Sequence, residues 1–164
     1  MKSSTATVRA RPLAGVTSRT GPLTVHAETF TIDTAARVQM LDLTERITEL
    51  VRRSGVADGT TNLVPLHTTC AVFINEHQRA LLDDIETFLT RLVDRESDWR
   101  HNDPECSDCD RLNADAHLRA LVLGHSLTLQ VAGGELVLGQ WQRILLAELD
   151  GPRTRTLRAS VMGV

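Results

Sequence analysis

Apolar and polar residues alternate with two different periods along the first third of the chain. Over residues 23–32 and 36–40 the period is close to two, which predicts two half-buried strands joined as a hairpin. Over residues 43–51 apolar residues recur every three or four positions, as on one face of an amphipathic helix. Asp42 and Glu45 stand three apart at the start of this helix and predict a capping box.

The middle of the chain combines two short apolar runs with two longer helical stretches. Residues 61–66 and 70–74 are predicted strands, and Pro65 places the first of them at an edge or a bulge. A long helix follows His77, and its buried stripe is expected to contain Leu81, Ile85, Phe88, Leu89 and Leu92. Residues 113–123 predict another helix, because they begin with a good N-cap residue and a glycine follows them.

The C-terminal part returns to the period of strands. Strands are predicted over residues 126–131, 135–138, 143–149 and 154–162, with a tight hairpin turn at Gly133-Gly134. Strands grouped around three main helices predict a single α+β domain. In such a domain the helices pack on a mostly antiparallel or mixed sheet.

Composition narrows the classes of protein to which the chain can belong. Its 164 residues are 41% hydrophobic, which suffices for one domain with a sizeable core. Aromatic residues make up only 3%, so that core must consist of Leu, Val, Ile and Ala. The net charge of -3 argues against a nucleic-acid partner, and no apolar run approaches the ~20 residues of a membrane span.

Charge and cysteine content add two expectations. Residues 1–21 carry basic residues and no acidic one, and we interpret them as a flexible basic N-terminal tail before a domain over residues 22–164. A transit peptide or a phosphate-binding arm is the alternative for this segment. Three cysteines without an export signal indicate reduced thiols and a cytoplasmic protein.

The polar stretch over residues 100–117 is the strongest candidate for a functional site. It brings His101 and His117, with amide and carboxylate neighbours, to the start of a predicted helix. Histidine beside amide and carboxylate side chains is common in metal sites and in general acid–base catalysis. Cys106 and Cys109 lie between the two histidines, so a zinc site, a redox pair and plain loop thiols are all open.

Other polar residues stand where packing alone would not require them. Glu76 follows an apolar strand and would suit a base or a ligand, or simply a charge in the first turn of the next helix. Glu148 lies among apolar residues and, if it faces inward, needs a partner such as Arg153 or Arg155. The same arginines, beside a turn, suit phosphate recognition. Trp141 would suit stacking on a planar ligand or core filling beside a glycine.

A colinear series of motifs across roughly residues 22–164 resembles the YjbQ-type family, also called the secondary thiamine-phosphate synthase family. The motifs are His67-Thr-Thr69, Ile74-Asn-Glu76, Arg100-His-Asn102, Asn113-Ala-Asp-Ala-His117-Leu, Gly124-x-Ser126-Leu, Gly134-x-Leu-x-Leu-Gly139-x-Trp-Gln142 and Glu148-x-Asp-Gly-Pro-Arg153. The resemblance implies a homotrimer of α+β domains with a weak thiamine-phosphate synthase activity. That reaction joins a pyrimidine pyrophosphate to a thiazole phosphate and releases pyrophosphate, normally with a divalent cation.

The matching positions and the arginines give the candidate site. Catalytic roles are expected for His67, Glu76, His101, Asp115 and His117. Substrate contacts are expected from Thr68, Asn75, Asn113, Trp141, Gln142, Arg153 and Arg155. His67, His101 and His117 would also hold a divalent metal, Mg²⁺ or Zn²⁺. These groups can work together only if they meet in one polar pocket.

Three functional hypotheses follow. The first is a thiamine-phosphate synthase-like enzyme that acts on a small phosphorylated metabolite. Because the chain has no aspartate-rich motif for magnesium pyrophosphate, this activity is expected to be a side activity. The second is a non-catalytic trimer that binds a metal or a small ligand. The third is a metal-dependent hydrolase of a phosphorylated metabolite.

Overall fold

The computed structural model describes residues 18–164, so most of the predicted tail over residues 1–21 lies outside the described residues. The described chain forms strands, three α-helices and a short 3-10 helix at Arg100–Asn102. The strands are β1 Thr24–Asp33, β2 Gln39–Asp42, β3 Asp58–Pro65, β4 Cys70–Asn75, β5 Leu127–Ala132, β6 Glu135–Leu136, β7 Arg143–Glu148 and β8 Thr154–Gly163. The helices are α1 Thr44–Ser54, α2 Arg79–Leu92 and α3 Ala114–Leu123.

The strands form two antiparallel sheets. One has five strands in the order β1-β8-β3-β5-β6, and the other has three in the order β2-β7-β4. The predicted single α+β domain with three main helices is therefore confirmed. The hairpin at Gly133-Gly134 is confirmed too, since it joins β5 to β6 and both glycines have the positive φ that such a turn requires.

The predicted hairpin of the first two strands is wrong. β1 pairs with β8, and β2 pairs with β7 in the other sheet. An alternating pattern states which face of a strand is buried but not which strand lies beside it. β3 as a whole is not an edge strand, because it lies between β8 and β5. Pro65 itself does lie at an edge position, because the β3–β5 ladder has ended at Leu63 and Pro65 pairs only with Leu157 of β8.

Two apolar layers hold the sheets and helices together. Leu50 and Val51 of α1 pack with Val161 of β8 and Ile144 of β7 in a core between the two sheets. On the other side of the three-stranded sheet, Leu89 of α2 packs with alanines of α3, β4 and β7. Phe88 and Leu92, which the pattern places in the buried stripe of α2, are more than half exposed.

The start of α1 does not form the predicted capping box, because the N-cap residue is Leu43 and no side chain caps the helix. The Asp42 carboxylate does accept a hydrogen bond from the Thr44 N–H, at 2.8 Å, just before the first turn. Among the hydrogen bonds of the described chain, Glu45 makes no return bond to Asp42.

Strand β7 separates two ends of the three-stranded sheet. Cys70 of β4 pairs with Glu148, and Asn75 pairs with Arg143 at the other end of β7. At ~3.4 Å per residue these ends lie about 17 Å apart. We call them the Glu148 end and the Arg143 end.

None of the helices in the described part of the chain is long and apolar enough to cross a membrane.

Candidate functional site

A buried ion pair forms the base of the Glu148 end. The Arg155 guanidinium donates to both carboxylate oxygens of Glu148, from Nε at 2.6 Å and also from Nη2. Both side chains are almost completely buried, at 1% and 0% exposure. Burial alone would raise the pKa of Glu148, but hydrogen bonds from Arg155 and the Asp150 N–H outweigh it and hold the pKa below its usual range.

This pair confirms that Glu148 faces inward with an arginine partner. It also ties together four segments of the chain, because Thr34 donates to Glu148 and Arg155 donates to Thr69. The ligand contact expected of Arg155 does not fit this position, since its guanidinium is enclosed and occupied. Arg155 therefore positions neighbouring segments.

A second carboxylate, Asp150, lies two residues beyond the pair and is 1% exposed. Its Oδ1 accepts from Arg37 at 3.2 Å. Its Oδ2 accepts from Arg111 at 3.1 Å, Asn113 at 2.8 Å and Arg153 at 3.0 Å. Burial would raise the pKa of Asp150, but the hydrogen bonds from Asn113 and Arg111 and the charges of Arg111 and Arg153 lower it.

Asp115 is a third buried carboxylate, in the first turn of α3. It is 0% exposed and accepts from Arg37 Nη2 at 3.1 Å, so Arg37 bridges Asp115 and Asp150. Its other oxygen lies 3.1 Å from Arg119 Nη1. An enclosed carboxylate between two guanidinium groups is suited to positioning, and its predicted catalytic role would require it to act through Arg37 or His117.

His101 and His117 do come together. Their rings pack edge to face with centroids 5.0 Å apart. His117 lies in the first turn of α3, and His101 lies in the 3-10 helix. The Asn102 side chain accepts from the Ala114 N–H at 3.0 Å, which fastens that short helix to the start of α3.

An open cleft adjoins this histidine pair. It has a volume of about 370 Å³ and is lined by Trp99, Arg100, His101, Ala114, His117 and Leu118. Burial and the charge of His101 lower the pKa of His117, and they outweigh the attraction of Asp150 and Asp115. His117 is therefore neutral at pH 7 and able to accept a proton there.

His67 lies at the same end of the sheet but has a different task. Its Nε2 accepts a hydrogen bond from the Thr156 N–H at 2.8 Å, so this nitrogen is occupied by the backbone of β8. Burial and the charge of Arg155 lower the pKa of His67. Thr68 is exposed beside it.

Four predicted residues lie at the Arg143 end instead. Asn75 is the last residue of β4, and its side chain accepts from the Glu76 N–H at 2.9 Å. Trp141 and Gln142 directly precede β7, and Trp141 is 65% exposed, so it does not fill the core. Because β7 keeps the two ends apart, Glu76 does not share a pocket with the Glu148 end of the same chain. The expected single pocket is wrong in this respect.

The described part of one chain does not bring together enough donors for a metal ion. Across residues 18–164, no three His, Cys, Asp or Glu side chains are placed to hold one ion. His67, His101 and His117 therefore do not form a three-ligand set, nor do the loop cysteines complete one with His101 and His117. The Cys109 thiol donates to Asn113 and the Cys106 thiol to Asp103, and both cysteines are free.

Three residues of this site were not identified from the sequence as candidates: Arg37, Arg111 and Asp150. Arg37 sits between two strands in a stretch that reads only as alternation, and Arg111 is an ordinary charge in a polar loop. Asp150 stands inside the motif Glu148-x-Asp-Gly-Pro-Arg153, and that motif was the one available signal.

The chain matches a family of proteins over most of its length. The profile described as "UPF0047 protein YjbQ-like" matches residues 28–164. A UPF0047 protein of Methanothermobacter thermautotrophicus is 40% identical over 139 residues, which cover 85% of this chain and 93% of that protein. The UPF0047 protein YugU of Bacillus subtilis is 32% identical over 139 residues, covering 83% and 98%.

Solved structures agree with this match. A YbjQ-like protein of unknown function from Sulfolobus solfataricus superposes with a TM-score of 0.81 at 33% identity, covering 87% of this chain and 100% of that one. A hypothetical protein from Aeropyrum pernix gives 0.77 at 37% identity, covering 85% and 99%. The chain therefore belongs to the YjbQ-like family of UPF0047 proteins.

Proposed function

We propose that the protein is an enzyme that acts on a small phosphorylated metabolite at the Glu148 end, with a thiamine-phosphate synthase-like transfer as its activity. The observation that carries the proposal is the His101–His117 pair beside an open cleft. The pair is held in place by the Asn102 bond to α3, so the imidazoles keep a fixed relation to the cleft.

In the proposed transfer, one bond forms and one bond breaks. The thiazole nitrogen attacks the pyrimidine methylene carbon, and the bond from that carbon to the pyrophosphate oxygen breaks. Negative charge develops on the departing pyrophosphate, and cationic groups nearby stabilise it. His117 is neutral at pH 7 and suits holding a proton or orienting a substrate nitrogen in the cleft.

A divalent ion and a homotrimer belong to the same proposal. The described residues of one chain do not fit a complete metal site, so we derive no step through a metal. Self-association is supported by apolar side chains that stay exposed in the described chain, such as Phe88, Leu121 and Trp141. A cytoplasmic location, expected from the reduced thiols, remains part of this proposal.

The test is formation of thiamine phosphate by protein purified from a host without its own synthase. Wild type is compared with His101→Ala and His117→Ala, with and without added Mg²⁺ or Zn²⁺. Loss of a general acid–base group lowers turnover about 10²–10⁴-fold, and we expect His117→Ala to fall in that range. His26→Ala, on β1, is the matched control and should keep wild-type turnover. Equal turnover in all four proteins would remove both histidines from the reaction.

A binding protein without chemistry is the second candidate. It is favoured by the way Glu148, Asp150 and Asp115 are enclosed and paired with arginines, so that these three carboxylates are not available as a base. This candidate predicts that phosphate esters stabilise the fold without being converted. A ligand at 100 times its dissociation constant adds ~2.7 kcal/mol to the free energy of unfolding. Thermal shift without product formation would favour it, and release of inorganic phosphate would instead indicate a hydrolase.

A further inference from the structure

Three arginines converge on the single buried carboxylate of Asp150. Arg37, Arg111 and Arg153 come from the β1–β2 connection, the loop before α3 and the turn before β8. Each donates to Asp150, yet their side chains are 31%, 48% and 32% exposed while Asp150 is 1% exposed. Asp150 therefore anchors the arginines from below, and their outer faces meet the solvent. We call these three residues the arginine trio.

The local charge is unbalanced. Asp115 and Asp150 are the only carboxylates within the described chain that form ion pairs with the trio or with neighbouring Arg119. Four guanidinium groups against two carboxylates leave an excess of two positive charges. Like charges held together at a partly desolvated place repel one another unless an anion joins them.

The trio also has unused donors. Arg111 spends only Nε on Asp150, and Arg153 spends Nε and Nη2 on the backbone and side chain of Asp150. Within residues 18–164, Nη1 and Nη2 of Arg111 and Nη1 of Arg153 have no acceptor. Planar guanidinium donors in fixed positions match the oxygens of a phosphoryl group.

We propose that the arginine trio is a binding site for the phosphoryl group of a small phosphorylated ligand, on the solvent side of Asp150. The sequence predicts substrate contacts from Arg153 and Arg155. The proposed site keeps Arg153 but contains Arg37 and Arg111 instead of Arg155, because the buried ion pair removes Arg155 from solvent. The inference rests on the proposed function for the rest of the ligand, and the oxyanion site itself stands on the trio alone.

The position of the trio relates it to the histidine pair. Asp150 pairs with all three arginines of the trio, and Asp115 pairs with Arg37. Both carboxylates also act electrostatically on His117, so the trio and this histidine lie in one neighbourhood. Asn113 directly precedes α3 and donates to Asp150, so the positive N-terminal end of α3 lies beside Asp150. A ligand whose phosphoryl group sits on the trio would extend its remaining atoms toward the cleft beside His117.

The experiment is a calorimetric titration with inorganic phosphate and with pyrophosphate at constant ionic strength. Wild type is compared with Arg111→Gln and Arg153→Gln, and with Arg52→Gln as a control. Arg52 is also an exposed arginine paired with one carboxylate, Glu135, but it lies in α1. We expect each trio variant to weaken binding about tenfold or more, and the control to stay within about twofold.

The choice of Arg111 and one further variant keep the outcome interpretable. Arg111 makes a single hydrogen bond and is half exposed, so Arg111→Gln tests the site even if Arg153→Gln fails to fold. Arg111→Lys should bind with intermediate affinity, because it keeps the charge without the planar donors. The inference would be overturned if wild type bound neither anion, or if the trio variants bound both anions as tightly as wild type does.

The two proposals fail in different ways. His117→Ala should lose transfer but still bind pyrophosphate at the trio. If transfer persists in His117→Ala while binding depends on the trio, the proposed catalysis is wrong and the oxyanion site stands. If binding ignores the trio while transfer depends on His117, the inference is wrong and the proposed catalysis stands.

Discussion

At the scale of single residues, the Glu148 end is built around two buried carboxylates whose oxygens all accept hydrogen bonds. Glu148 and Asp150 each accept hydrogen bonds from arginine and from backbone or amide groups, which is the condition for burying a carboxylate. The arginine partners of Asp150, rather than these carboxylates, are the groups that reach solvent. We therefore assign the proposed chemistry of this end to these arginines and to His117.

His67 predicts a pH dependence of stability. Its pKa is lowered in the folded protein, so the unfolded chain binds the proton more tightly. The stabilisation is present above the unfolded pKa of about 6.5 and is lost as the pH falls through the folded pKa. We expect the free energy of unfolding to decrease between pH 7 and pH 5, as measured by urea denaturation.

The variant His67→Gln isolates this contribution. Its amide oxygen can still accept from the Thr156 N–H, but it does not titrate. The slope of stability against pH should therefore be shallower in His67→Gln than in wild type, with the remaining slope due in part to His117. An unchanged slope would mean that His67 does not couple folding to protons.

At the scale of elements, the Glu148–Arg155 pair joins β7 to β8 and, through Thr69, to the start of β4. Removing one partner of a buried pair leaves an uncompensated charge and costs about 3–5 kcal/mol. Arg155→Met should lower the free energy of unfolding by that amount in urea denaturation. Arg52→Met, which breaks the exposed pair with Glu135, should leave the free energy of unfolding nearly unchanged. Comparable losses in the two variants would contradict the role of the buried pair.

The elements themselves were largely predictable, and their partners were not. The amphipathic period of α1 and the glycine turn between β5 and β6 are local signals, and both were read correctly. The pairing of β1 with β8 joins Thr24 to Gly163, and nothing in a local pattern states such a partner. Pro65 correctly indicated a position with a neighbour on one side only, but it did not indicate that β5 pairs with β3 as far as Leu63.

The candidate site shows the same division between local and distant information. His101 and His117 were recognised together because both lie in one polar stretch, and they do meet. Arg37 was missed because its partners, Asp115 and Asp150, lie far along the chain and meet it only after β2 pairs with β7. The sequence analysis grouped Glu76 with His101 and His117, but β4 places Glu76 at the opposite end of the sheet.

At the scale of the whole molecule, the polar residues of the family motifs divide between two ends of one sheet. His67, Asn113, His117 and Arg153 lie at the Glu148 end, and Asn75 and Trp141 lie at the Arg143 end. The ends are about 17 Å apart along β7, which is too far for one small ligand to bridge within a chain. We therefore propose that the ligand binds at the Glu148 end.

Backbone amide chemical shifts during a pyrophosphate titration test that placement most directly. We expect the largest shifts to cluster at residues 111–117 and 150–153, around the arginine trio and His117. The Arg111→Gln variant should lose this cluster and keep the rest of its spectrum. Shifts concentrated at Asn75, Glu76 and Trp141, or shifts spread evenly over the surface, would contradict the account.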